Sequence, residues 1–137
     1  MNRAEFQQLA ELRLVEVKAL LDQSQWSGAY DLAGYAVECG LKACIALLTK
    51  ADDFPDKVFA QKCYTHDLES LLELAKLDSS LKSDAATNAN LAKNWNTAKD
   101  WTEASRYVIS SEAAAKEIFE AIADPTDGVH QWIKVRW

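Results

Sequence analysis

Between residues 26 and 50, small and apolar residues recur at helical spacing around most of the circumference of one predicted helix. The segment would make about seven turns at 3.6 residues per turn, and it contains no proline. One line of polar residues interrupts this pattern. Its members are spaced at i, i+4, i+7 and i+11, so they share one face of the helix. We call this line the polar seam; it consists of Asp31, Tyr35, Glu38 and Lys42. The pattern predicts a core helix with a single polar face.

The remaining apolar positions recur mostly at helical spacing, so we expect an all-α protein. Further helices are predicted over residues 2–22, 94–124 and 127–137. One more helix, the third in chain order, is predicted to carry its apolar face over residues 68–77. Thr65 is expected to cap that third helix, and Pro125 to end the fourth. The inner side of the fourth helix is expected to consist of Trp101, Ala104, Val108, Ala115, Ile118 and Ile122.

Two segments between the predicted helices are expected to be irregular. The first, residues 53–65, follows the point near Lys50 where Asp52, Asp53 and Pro55 disfavour further helix. Residues 78–90 are small and polar, which predicts a loop with one frayed helical turn. Together the pattern predicts one domain over residues 1–137, an up-and-down bundle of four main helices plus a short C-terminal helix.

Composition and charge narrow the possible functions. A chain of 137 residues with 49% hydrophobic and 26% charged residues is typical of one soluble globular domain. Its net charge of −6 argues against a broad nucleic-acid-binding surface, although a local basic patch is compatible with it. Three cysteines without a CxxC pair are typical of reduced thiols. Because no targeting segment or long apolar run is present, we expect a cytoplasmic protein without membrane contact, and we predict no cofactor.

Four stretches of the sequence together resemble a HEPN domain, a small helical bundle. They are GAYDLAGYAVECGLKA in the second predicted helix, YTHDL at the start of the third, WTEASRY in the fourth and HQWIKV near the C-terminus. The resemblance covers essentially the whole chain and depends most on the first stretch. It implies a homodimer, often partnered with a minimal nucleotidyltransferase in toxin–antitoxin or defence systems.

Many HEPN proteins are metal-independent RNases whose motif is an arginine followed a few residues later by a histidine. Arg106 is the position here that matches the arginine, and residues 107–112 contain no histidine. The resemblance therefore implies a non-catalytic or degenerate module that binds a nucleotide or RNA phosphate, or a partner protein such as the nucleotidyltransferase. The alternative is a metal-independent RNase that uses Arg106 together with His66.

The polar seam has two interpretations. In the first it is the solvated face of a core helix, and Glu38 and Lys42 form a surface ion pair worth a few tenths of a kcal/mol. In the second it lines a cleft or a dimer groove, where small residues would let a ligand or another backbone approach closely. The ligand-binding candidates are Glu38, Lys42, Tyr35, Asp31, Tyr107 and Asp67.

His66 and Arg106 are the candidate catalytic residues. His66 either hydrogen-bonds to loop backbone or acts as a general acid, a general base or a phosphate contact. Cys63 and His66 have a ligand-like spacing, but no second pair exists to complete a site, so no metal is predicted. Arg106 either forms an ion pair, with Glu38 or Asp67 as partner, or binds an anionic ligand bidentately.

Overall fold

The computed structural model describes residues 1–54 and 56–137, and these residues form an all-α fold without strands. They contain eight α-helices and one 3-10 helix, which we call η1. No helix in this part of the chain is both long and apolar enough to cross a membrane. The bounds are α1 Arg3–Asp22, α2 Trp26–Leu48, α3 Lys57–Lys62, α4 Leu68–Leu74, α5 Asp78–Thr87, α6 Ala89–Lys99, η1 Glu103–Tyr107, α7 Glu112–Ala123 and α8 Val129–Lys134.

The first two helices agree with the sequence prediction to within two residues. Asn2 begins α1 with a capping box, because its side chain accepts from the backbone N–H of Glu5 while the Glu5 carboxylate accepts from the N–H of Asn2. The α2 helix passes through the centre of the fold and contacts α1, α4, α7, α8 and η1. Its many alanines and glycines let these neighbours approach from several sides, as the sequence pattern predicts.

The predicted fourth helix over residues 94–124 is wrong, because the chain is broken there into α6, η1 and α7. Trp101 leaves the helical path and buries its indole against Gly34 of α2, where it is 1% exposed. Ser111 then starts α7 by accepting a hydrogen bond from the backbone N–H of Ala114. As a result, Ala104 and Val108, which were predicted to face inward, are exposed. The predictions for Trp101, Ala115, Ile118 and Ile122 as buried residues are confirmed.

Both segments predicted to be irregular contain helix. Asp56 caps α3 by accepting from the N–H of Phe59 at 2.7 Å, so a six-residue helix forms within residues 53–65. The α5 helix replaces the loop predicted over residues 78–90, since Leu81 is buried in the core and Asp84 accepts a hydrogen bond at 2.8 Å from the Trp132 indole. Pro55, expected to help end the second helix, lies outside the described residues.

Candidate functional site

The polar seam of α2 is covered by other elements rather than by solvent. Glu38 is only 5% exposed, and its Oε1 accepts from the Lys42 ammonium at 2.8 Å. The interpretation of the seam as a solvated helix face is therefore wrong. A buried carboxylate is stable only when it is paired and hydrogen-bonded, so the groups that cover Glu38 define the site.

His66, in the loop before α4, is one of these groups. Its Nδ1 lies 2.9 Å from Oε2 of Glu38, and its Nε2 lies 3.1 Å from Oε2 of Glu103 in η1. A neutral imidazole can donate to only one of these carboxylates, whereas the imidazolium can donate to both. His66 thus connects α2 to η1 through side-chain contacts, and not through the loop backbone as the first interpretation of this residue had it. With 39% of its side chain exposed, it is the point at which the buried pair reaches solvent.

The η1 helix is attached to α2 mainly through Asp31. The Trp101 indole N–H donates to the Asp31 carbonyl oxygen at 3.0 Å, and the Ser105 hydroxyl donates to the Asp31 carboxylate at 2.6 Å. Tyr35 packs edge-on against both Trp101 and His66, with ring centroids 4.9 and 6.3 Å away. Asp31 and Tyr35, predicted as ligand-binding residues, are therefore engaged in holding the site together.

Arg106 and Tyr107 occupy the exposed side of η1. The Arg106 guanidinium lies 5.0 Å from the centre of the Tyr107 ring, and Tyr107 is 81% exposed. Among residues 1–54 and 56–137, no carboxylate forms an ion pair with Arg106, so the expected partners Glu38 and Asp67 do not bind it. The Tyr107 phenol raises the pKa of Arg106 above its ordinary value, and Glu103 and Tyr35, both next to His66, add to this effect. Arg106 thus lies on the same 3-10 helix as Glu103, and its exposed charge has no carboxylate partner in the described chain.

Asp67 is a helix cap. Its carboxylate accepts from the backbone N–H of Ser70 at 2.7 Å, and hydrogen bonding to the side chain and the backbone of Ser70 lowers the pKa of Asp67 below its ordinary value. Thr65, predicted as the cap of this helix, instead accepts from the N–H of Asp67 at 3.1 Å. Asp67 therefore places His66, one residue earlier, at the fixed entrance to α4, but it does not itself face the seam residues.

Two functional candidates, Glu103 and Ser105, were not predicted from the sequence. Both belong to the stretch WTEASRY, in which only Arg106 and Tyr107 were predicted as site residues. Because WTEASRY was predicted to belong to a continuous α-helix, the sequence did not indicate that Ser105 would be buried or that Glu103 would contact His66. In the described part of the chain, no group of three side chains is arranged to bind a metal ion.

Two surface grooves lie away from the seam. The larger, of 850 Å³, runs between α2, α5, α6 and α7 and includes Tyr30, Lys93 and Glu117. The smaller, of 480 Å³, lies on the other side of η1 and includes Val108 and Ile109. Neither of these two grooves is lined by a residue of the polar seam or by His66.

The chemical capacity of the cluster follows from its geometry. A buried carboxylate aligns His66 and leaves its Nε2 directed outward, where a proton could be moved or an anion bound. Arg106 offers a second, planar set of N–H donors nearby. No family model matches this sequence, and neither a curated protein nor a solved structure shows a significant match.

Proposed function

We propose that this chain is a homodimeric, HEPN-type helical bundle without the family's own catalytic pair, and that it binds a phosphate group of RNA or of a nucleotide through Arg106 and His66. The observation that carries this proposal is the exposed Arg106 guanidinium, which has no carboxylate partner in the described residues and lies on η1 three residues after Glu103, the residue that contacts His66. Three of the four HEPN-like stretches contribute to this one cluster: α2 supplies Glu38, YTHDL supplies His66 and WTEASRY supplies Glu103, with Arg106 three residues further on.

The cluster suits a phosphate in two ways. A guanidinium can donate two parallel N–H bonds to phosphate oxygens, and an imidazole N–H at His66 can supply a third. Tyr107, 81% exposed beside Arg106, offers a ring on which a base can stack. Because the chain carries a net charge of −6, binding would depend on these local contacts and not on a broad positive surface.

The homodimer and the partner protein belong to the same proposal. Tyr107, Val108 and Ile109 form an exposed apolar run next to Arg106, with Ile109 94% exposed. An apolar run of this kind beside the site favours coverage by another protein surface, which the resemblance suggests is a second copy of the chain or a nucleotidyltransferase in a toxin–antitoxin or defence system. Sedimentation of the purified chain across a range of concentrations tests the dimer.

Replacement of Arg106 tests the binding function. Arg106→Ala should weaken the binding of a fluorescein-labelled single-stranded RNA by roughly 10- to 100-fold, since a charge-assisted contact contributes about 1.5–3 kcal/mol. Fluorescence anisotropy at fixed salt measures this effect. Arg3→Ala is the matched control because Arg3, also exposed and in no ion pair within residues 1–54 and 56–137, removes the same charge elsewhere. Unchanged affinity in Arg106→Ala, with a melting temperature several degrees lower, would make Arg106 structural and refute the proposal.

A second candidate function, a metal-independent endoribonuclease, is favoured by the Glu38–His66 pair. A buried carboxylate 2.9 Å from Nδ1 holds the imidazole so that Nε2 can take a proton from a ribose 2′-hydroxyl. The 2′-oxygen would then attack the adjacent phosphorus and expel the 5′-oxygen, which leaves with a proton from water, while Arg106 stabilises the added negative charge. This requires Nε2 to be free of Glu103 and unprotonated.

RNA cleavage in EDTA separates the two candidates. Cleavage by the wild type that is lost in both Arg106→Ala and His66→Ala would establish the RNase and replace the non-catalytic proposal. RNA that stays intact at high protein concentration, while still bound, would leave the binding function alone. Far-ultraviolet circular dichroism of each variant shows whether a loss reflects unfolding.

A further inference from the structure

The carboxylate of Glu103 occupies the outward-facing nitrogen of His66. Its Oε2 is 3.1 Å from Nε2, and the two side chains are 41% and 39% exposed, so this contact lies at the solvent edge of the cluster. The Glu38 contact on the opposite nitrogen is buried. The carboxylate of Glu38 therefore contacts the nitrogen of His66 on the buried side, and the carboxylate of Glu103 contacts the nitrogen that faces solvent.

The position of Glu103 on η1 relates it to Arg106. Side chains three residues apart on a 3-10 helix eclipse one another, so Glu103 and Arg106 project from the same edge of η1. A carboxylate and a phosphate oxygen accept the same kinds of N–H bonds. An anion bound jointly by Arg106 and His66 must take the place in which Glu103 now lies.

Glu103 is not needed to hold η1 on the fold. The indole of Trp101 and the hydroxyl of Ser105 already anchor this segment to Asp31, and a further bond joins the backbone N–H of Ser110 to the hydroxyl of Ser27 at 2.9 Å. A half-exposed carboxylate contact is weak beside these bonds, because solvent screens it. The Glu103 side chain can swing away without loss of the segment's attachment.

We propose that Glu103 fills an anion subsite between His66 and Arg106 in the free protein, and that a phosphate-bearing ligand binds by displacing it. This inference rests on the proposed binding function and adds that the affinity of the site is set by competition with a side chain of the same chain. Glu103 also determines specificity, since only a ligand that binds better than a carboxylate, with Arg106 engaged as well, can replace it.

Removal of Glu103 should tighten binding. Against a labelled single-stranded RNA, Glu103→Ala should bind roughly two- to fivefold more tightly than the wild type, as expected when a half-exposed competitor is lost. Glu103→Gln should change affinity in the same direction, which guards against an effect of the shortened side chain. Glu120→Ala is the matched control: it removes one exposed carboxylate that forms no ion pair in the described chain, and so reports the effect of net charge alone.

The possible outcomes distinguish a failure of the proposed competition by Glu103 from a failure of the proposed phosphate binding. Tighter binding in Glu103→Ala than in Glu120→Ala supports the competition. Equal binding by these two variants, with affinity lost in Arg106→Ala, overturns the competition and leaves the binding function in place. If neither the wild type nor Glu103→Ala binds RNA, both proposals fail.

A second measurement reports on His66 directly. The chain has only two histidines, so their imidazole signals are resolved in a long-range ¹H–¹⁵N spectrum. Inorganic phosphate should shift the Nε2 signal of His66 at lower concentration in Glu103→Ala than in the wild type, while His130 stays unchanged. Identical phosphate titrations in the two proteins would contradict displacement of Glu103.

Discussion

The contact between Gly34 and Trp101 can be tested by adding a single methyl group. A Cβ on residue 34 would lie 1.9 Å from Cδ2 and 2.1 Å from Cε2 of the Trp101 indole. Since carbon atoms pack best about 3.5–4.0 Å apart, the ring would have to retreat by about 1.5–2 Å. Trp101 is almost fully buried, so it has no solvent-filled space into which to move.

The expected cost of Gly34→Ala combines three effects. Overpacking in a close-packed core costs about 1–3 kcal/mol. A retreat of the ring also breaks the bond from the Trp101 indole to the carbonyl of Asp31, worth about 0.5–1.5 kcal/mol. Alanine is a better helix former than glycine by about 1 kcal/mol, which offsets part of this loss. The net expectation is a loss of about 2 kcal/mol in the free energy of unfolding.

Gly28 supplies the matched control on the same helix. Its added Cβ would meet only Leu20, at an ordinary distance of 3.6 Å, so Gly28→Ala should stabilise the protein by about 0.5–1 kcal/mol. Urea denaturation followed by far-ultraviolet circular dichroism measures both variants, and the melting temperature should fall by about 7 °C in Gly34→Ala. Equal stability of the two variants would refute the packing of η1 against α2 described above.

Three further predictions concern buried ionisable groups. Glu38→Gln should lower the free energy of unfolding by about 2–4 kcal/mol, because it leaves the Lys42 ammonium, which is 14% exposed, without its charge partner. A urea midpoint equal to that of the wild type would contradict this prediction. Burial lowers the pKa of His130 below 6.5, so the imidazole binds a proton more readily in the unfolded chain than in the folded one. The free energy of unfolding should therefore fall as the pH drops from about 6.5 through the folded pKa, by at most about 1.4 kcal/mol per pH unit. His130→Phe should remove this acid-side loss in pH-dependent urea melts. Burial raises the pKa of the Cys44 thiol to about 11, so Cys44, which is 4% exposed, should react with a thiol reagent at pH 8 only as fast as the protein opens; labelling of Cys44 at the rate of an unfolded peptide would refute its burial.

The α2 helix was predictable from the sequence because its signal is long and repeated. Seven turns of small and apolar residues determine a central helix whatever surrounds it. The same pattern identified the polar seam, since i, i+4, i+7 and i+11 spacing is a local property. The partners of the seam were not predictable, because His66 and Ser105 reach Glu38 and Asp31 from 28 and 74 positions along the chain.

The break between α6 and α7 illustrates why periodicity failed there. Trp101 falls at a position suitable for a continuous helix, yet its indole is buried against α2 and hydrogen-bonds to a carbonyl of that helix. Ser111, a good N-cap residue, is a local signal for a new helix, and a prediction from apolar spacing alone does not detect it. The consequence for the site is large, because a 3-10 turn and not an α-helix presents Glu103 and Arg106.

The long separation along the chain between α2 and η1 also bears on how the site forms during protein synthesis. At about 5–20 residues per second, roughly 3–13 s pass between the appearance of Glu38 and that of Glu103 on a ribosome. The α1–α2 hairpin has only local contacts to make and can form early, whereas the links from η1 to α2 must close loops of 70 and more residues. The hydrogen bonds from Trp101 and Ser105 to Asp31 therefore form only after η1 has been synthesised, when the α1–α2 hairpin has already had time to fold.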